Sequence, residues 1–170
     1  LPDGKSIGMF KRTDPVINFG GYGGIVKIFD ENGTESWNYD YTNGDDIAHH
    51  DVEMLPNGNV IFLVWEEIDA AEVQAAGVDF NSNVYTETLI EVNPSTNQVV
   101  WEWHSWDHII QNHDPNAAHY GSIANNPQRI NINYNINSNG DFMHANGISY
   151  DTAKDVIYIS VNYFSEVWVV

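Results

Sequence analysis

"LPDGKSI", residues 1–7, returns as "LPNGNVI" at residues 55–61, with Leu, Pro, Gly and Ile in the same places 54 positions later. Each copy reads as a turn feeding a strand. A second pair links the same halves. IVKIFDENGTESW (Ile25–Trp37) and LIEVNPSTNQVVW (Leu89–Trp101) are each two short alternating runs around a polar turn, and both end on tryptophan. SYDTAKDVIYIS (Ser149–Ser160) has the outline of a third hairpin, turning through Asp151 to Asp155. Short strands with regular turn signals, repeated at roughly 50 residues, predict an all-β chain of β-propeller blades, about one four-stranded blade per repeat.

On that spacing the 170 residues hold about two and a half to three blades. Such an array leaves sheet faces and edges bare. The expectation is therefore a partial propeller domain over residues 1–170, a fragment completed by the remainder of a longer chain or by other chains. Helical periodicity is confined to EEIDAAEVQAAGV (Glu66–Val78), with Gly77 as a stop. The Asn-rich stretch at about 113–140, with Pro115 and Pro127, reads as a long loop crossing one face of the array.

Composition narrows the function. Hydrophobic residues make up 42% of the chain, enough for an ordinary core, so disorder is excluded. Six Lys and Arg stand against 24 Asp and Glu, a formal net charge of -18. That field repels phosphate backbones and anionic membranes, so nucleic acid is excluded as a partner. The longest apolar run, NVIFLVW, is too short to span a bilayer. With no cysteine, neither disulfides nor thiolate metal sites are available.

Candidate site residues come from the seven histidines. His49 and His50 precede DVEMLPNGN, near a strand start, where binding groups collect. His104 and His108, in WEWHSWDHII, are four apart and either share a helix face or flank a turn. No third ligand stands at a fixed spacing, so no metal site is assigned. His113 and His119 read as solvated loop residues. In DFMHANGISY (Asp141–Tyr150), His144 and Asn146 stand two apart; in an extended strand they project from one face, and a buried imidazole and amide there need partners. Oxygen-rich turns at Asp30–Glu35 and Asp151–Asp155 suit calcium by ligand type but lack the twelve-residue loop pattern, and hairpin turns account for them. No cofactor is assigned. Trp37, Trp101 and Trp103 read as blade-packing residues.

Taken in order, HHDVEMLPNGN, WEWHSWDH and DFMHANGISY with DVIYISVNYFSEVWVV resemble the bacterial aryl-sulfate sulfotransferases, a six-bladed propeller family; the resemblance covers about residues 20–170. It implies transfer of a sulfuryl group from a phenolic sulfate ester to another phenol, through a histidine transiently sulfated on nitrogen in the central channel. By motif, His50 becomes a channel histidine, and His144 with Asn146 the sulfate-contacting pair. His49, Asn162, His104 and His108 become further substrate-binding candidates. The partners implied are a small-molecule aryl sulfate and a phenolic acceptor, in a secreted, periplasmic or cell-surface setting.

Two departures bear on activity. The family's arginine in SxR falls here on Ser160-Val161-Asn162, so a neutral amide replaces the guanidinium. The family's sulfated histidine belongs to a later blade, beyond Val170, so this stretch alone is expected to be inactive. The competing expectation is a non-catalytic secreted propeller serving as a binding or structural module. A quinone-dependent dehydrogenase propeller lacks a cysteine pair and a quinone-clamping basic residue.

Overall fold

The computed structural model describes residue 1 and residues 3–170. It is all-β and built of separate antiparallel sheets. β1 (Ser6–Lys11), β2 (Gly24–Phe29) and β3 (Glu35–Asp40) form the first sheet in that order. β4 (Thr42–Asn43), β5 (Asp46–Met54), β6 (Val60–Ile68), β7 (Val84–Asn93) and β8 (Gln98–His104) form the central one. The short parallel pair β9 (Ile109–Ile110) and β10 (Ile130–Asn131) follows. β11 (Ala145–Asp151), β12 (Val156–Val161) and β13 (Glu166–Val169) make the third sheet. The sheets are propeller blades, and the repeats map onto them. The first LPxG copy leads into β1 and the second into β6, while the tryptophan-ended hairpins are β2–β3 and β7–β8.

The central blade is sandwiched. Every residue of β6 from Val60 to Trp65 is buried. Ile61 and Leu63 join the core facing the third blade, while Val60, Phe62 and Val64 join the core facing the first. A strand covered on both faces needs no polar alternation, which is why this segment reads as one apolar run.

Three differences from the sequence expectations have physical causes. The helix is shorter than Glu66–Val78: α1 spans Ala70–Ala75. Glu66 and Ile68 remain in β6 opposite Thr86 and Val84, because ladder pairing outweighs a short helical pattern. Asp69 caps α1 by accepting from the Ala71 and Glu72 amides, and Gly77, at φ +79°, ends it. Trp101 is 38% exposed and not a core residue, whereas Trp37 and Trp103 pack against the cores. Finally, the stretch at about 113–140 is a loop with fixed ends. Buried Gln111 donates to the Asp114 and Ala118 carbonyls and accepts from the His113 and Asp114 amides.

The third blade is fastened to the central one through main-chain groups. Three carboxylates of the central blade accept from amides along β11: Glu87 from Ala145 at 2.7 Å, Asp51 from Ile148 at 2.9 Å and Glu53 from Tyr150 at 2.9 Å. An inner edge strand that would otherwise leave donors unpaired is thereby satisfied.

Candidate active site

β5 does not run straight through its histidines. The register with β6 shifts between His49 and Val52, and His50 sits at φ +51°. β11 is broken in the same way, with His144 at φ +51° just before it and a register shift between Ala145 and Gly147. Left-handed backbone on a bulky residue is strained and persists where surrounding contacts hold it. Here the Gly21 carbonyl accepts from the His50 amide, and the His144 carbonyl accepts from the Asn162 amide.

These bulges turn imidazoles from two blades toward each other. The His50 and His144 ring centres are 4.9 Å apart and nearly perpendicular. His49, fully buried, lies flat on Trp65 at 3.8 Å, and its Nδ1 is hydrogen-bonded to His50 Nδ1 at 2.9 Å. Its Nε2 meets Glu87 Oε2, also at 2.9 Å. His144 Nδ1 meets Asp141 Oδ2 at 2.5 Å, and its ring stacks on Tyr163. Among the described residues, the Nε2 atoms of His50 and His144 have no protein hydrogen-bond partner.

Burial sets the charge states. Desolvation pushes His49 down to about 3 and, reinforced by the neighbouring imidazoles, His50 down to about 4. Desolvation pushes Glu87 up to about 8, against the stabilising Ala145 amide. Asp141 is also raised by burial, opposed by its bond to His144. At neutral pH the line Glu87–His49–His50 thus carries no net charge.

The raised Glu87 makes stability pH-dependent. An unfolded glutamate is ionised above its ordinary range, so folding takes up a proton between pH 6.5 and 8. Stability therefore falls as pH rises toward 8, by up to about 1.4 kcal/mol per pH unit. His49 and His50, depressed in the fold, oppose this slope near pH 6.5, where the unfolded imidazoles are still partly protonated, and cease to do so toward pH 8. His104 adds to the same slope: burial opposes its charge, but Glu66, Glu102 and Asp107 outweigh burial and raise it. Denaturant titrations across this window should show a steeper fall with pH in the wild type than in Glu87→Gln.

The other expected site residues lie elsewhere. His144 and Asn146 do not project together as an unbroken strand would place them, because the left-handed residue and the bulge intervene. Asn146 is exposed, and its Oδ1 accepts from Ser160 Oγ at 3.1 Å. Asn162 is exposed and tied to His144 only through its amide. His104 and His108 do not share a helix face. His104 ends β8, with Nδ1 2.9 Å from Glu66 Oε2, while His108, after a 3-10 turn, stacks on Trp103. Neither reaches the histidine cluster by any hydrogen bond or ring contact among the described residues. His113 and His119 are exposed in the loop. Asp30 accepts from the Asn32 and Thr34 amides of its turn, and Asp151 from those of Ala153 and Lys154. Among the described residues no three His, Cys, Asp or Glu side chains gather as metal ligands.

Sequence reasoning missed Glu87 and Gly21. Glu87 is read as one letter of an alternating strand, and its partners come from 38 and 58 positions away. Gly21 makes room for His50: a Cβ there would lie 2.1 Å from His50 Nε2. Gly21→Ala also meets φ +89°. It should displace the imidazole and lower turnover by about 10- to 100-fold while the protein still folds, as checked by circular dichroism alongside the kinetics.

Fold and site together define a β-propeller protein with histidines of two blades brought into one cluster. The model of the family described as Arylsulfotransferase (ASST) matches residues 3–170, and the chain belongs to that family. No curated protein matches the chain. No helix among the described residues is long and apolar enough to cross a membrane.

Proposed function

We propose that the protein transfers a sulfuryl group from an aryl sulfate to a phenol by way of a histidine nitrogen, with the His50–His144 cluster as the chemical centre. The observation that supports this most is the meeting of these two imidazoles across a blade boundary, each hydrogen-bonded at Nδ1 and, among the described residues, without a protein partner at Nε2. Fixing one nitrogen sets the ring's orientation and leaves the other for substrate. When the aryl oxygen leaves sulfur, negative charge develops on it and on the sulfuryl oxygens. A ring N–H held in place, such as that of His50 Nε2, stabilises that charge without reorganising. Asn146 and Asn162, exposed close in sequence to this cluster or bonded to it, contribute amide donors. We place this activity outside the cytoplasm.

The test uses the full-length protein with 4-nitrophenyl sulfate and phenol. Nitrophenolate release, with a protein mass increase of one sulfuryl group when phenol is omitted, is the expected result; neither signal would overturn the proposal.

Asn162 favours a second reading, a binding propeller without turnover, because a neutral amide stands where the family motif has a charged clamp. The two readings divide on Asn162→Arg. In an enzyme the exposed position accepts the guanidinium, and kcat/KM should rise by about tenfold or more. In a binding module no turnover appears.

A further inference from the structure

We infer that Glu87, His49 and His50 form a proton relay ending at His50 Nε2, which protonates the aryl oxygen as it leaves sulfur and takes a proton back from the incoming phenol. This rests on the sulfuryl-transfer reading above. The three groups stand in line through two contacts of 2.9 Å. His49 has no exposed surface and lies flat against Trp65, so its ring is held in the orientation that bridges its neighbours. Glu87 Oε1 already accepts from the Ala145 amide, so the proton of the neutral acid belongs on Oε2, the oxygen facing His49.

That assignment fixes the direction of every bond. The Glu87 hydroxyl donates to His49 Nε2, His49 Nδ1–H donates to His50 Nδ1, and His50 holds its one proton on Nε2. On transfer, the histidine nitrogen that receives the sulfuryl group bonds to sulfur as the S–O bond breaks, and the electron pair of that bond goes to the aryl oxygen, which takes the His50 Nε2 proton. His50 Nδ1 then takes the His49 proton, His49 Nε2 takes the Glu87 proton, and Glu87 is left ionised. In the second half, the acceptor oxygen bonds to sulfur as the S–N bond breaks and its electron pair returns to the histidine nitrogen; the phenol gives its proton to His50 Nε2, and the line resets. The proton enters with one phenol and leaves with the other, so atoms and charge balance over the cycle.

The relay's own titration is the raised value of Glu87, about 8. The titratable groups around the relay are His144 and Asp141 ahead of β11, whose charges act on His49, and Asp51 beside His50 on β5. None of them hydrogen-bonds to Glu87 or His49 among the described residues.

Two measurements on the full-length protein test the relay. In nitrogen-15 NMR of labelled histidine, His50 should carry its proton on Nε2 below about pH 8 and on Nδ1 above it, because an ionised Glu87 reverses both bonds. Glu87→Gln, whose oxygen stays on the Ala145 amide and whose NH2 then donates to His49, should hold the Nε2–H form through pH 9. A single His50 tautomer throughout in the wild type, or an unchanged switch in the variant, overturns the relay. In kinetics, Glu87→Gln should lose about 10²- to 10⁴-fold in kcat/KM with phenyl sulfate, whose leaving group needs a proton, and less than about tenfold with 4-nitrophenyl sulfate. An equal loss with both donors means a merely structural Glu87 and overturns the catalytic role. If the wild type turns over neither donor, the sulfuryl-transfer reading fails, and the tautomer experiment alone decides the relay.

Discussion

Replacing His144 with alanine is expected to lower aryl-sulfate turnover of the full-length protein by about 10²- to 10³-fold and to abolish any sulfuryl adduct, with folding retained. The magnitude is that of removing one fixed polar group from the reacting centre. His144 is part-buried, with its side chain 14% exposed, so its loss opens no large cavity. The left-handed backbone at 144 is the confounding feature, since alanine tolerates it poorly. His144→Asn tolerates it better and should match alanine in activity while exceeding it in stability. An active His144→Asn protein, or an unchanged adduct, would remove this imidazole from the chemistry. Asp141→Asn provides the intermediate case: the ring remains but loses its carboxylate partner, so the loss should be smaller than for His144→Ala.

The largest loss of stability is expected from Phe62→Ala. Phe62 has no exposed surface, lies in the centre of the sandwiched strand and meets Tyr41 edge-on at 5.6 Å and Tyr39 at 6.2 Å. Truncating a buried phenylalanine costs about 3–5 kcal/mol, a large share of a domain's stability. Phe62→Leu should cost markedly less by leaving a smaller void. Urea unfolding of both variants measures the difference, and equal, small losses would mean that the first and central blades are not packed through this residue.

The blades were legible in the sequence because their signals are local. Pro and Gly at fixed offsets in LPDGKSI and LPNGNVI, and the tryptophan-ended hairpins, act within a few residues. The second pair of repeats is offset by 64 positions rather than 54, and the extra ten are spread over the longer β6 and β7 strands and the connection that carries α1. The site was legible in part. His50 and His144 could be named from their motifs, but their geometry depends on bulges that the residue pattern does not mark. The same irregularity defeats the two-residue alternation that would aim His144 and Asn146 together. Glu87 was hidden for a different reason. A carboxylate in a strand reads as solvent-facing, and only a neighbouring blade shows that it is covered. His104 and His108 stand next to an informative motif in the chain, yet the turn after β8 directs them to Glu66 and Trp103.

The fastening of β11 has a consequence for how the protein accepts sequence change. Its acceptors are side chains of the neighbouring blade and its donors are peptide N–H groups, which nearly any residue supplies. The bonds at positions 148 and 150 should therefore survive replacement of the side chain, within the limit that Ile148 and Tyr150 also pack against the core, and be lost with proline, which alone brings no hydrogen. The mutational tolerance of that seam resides in the donor strand, and its intolerance in Asp51, Glu53 and Glu87.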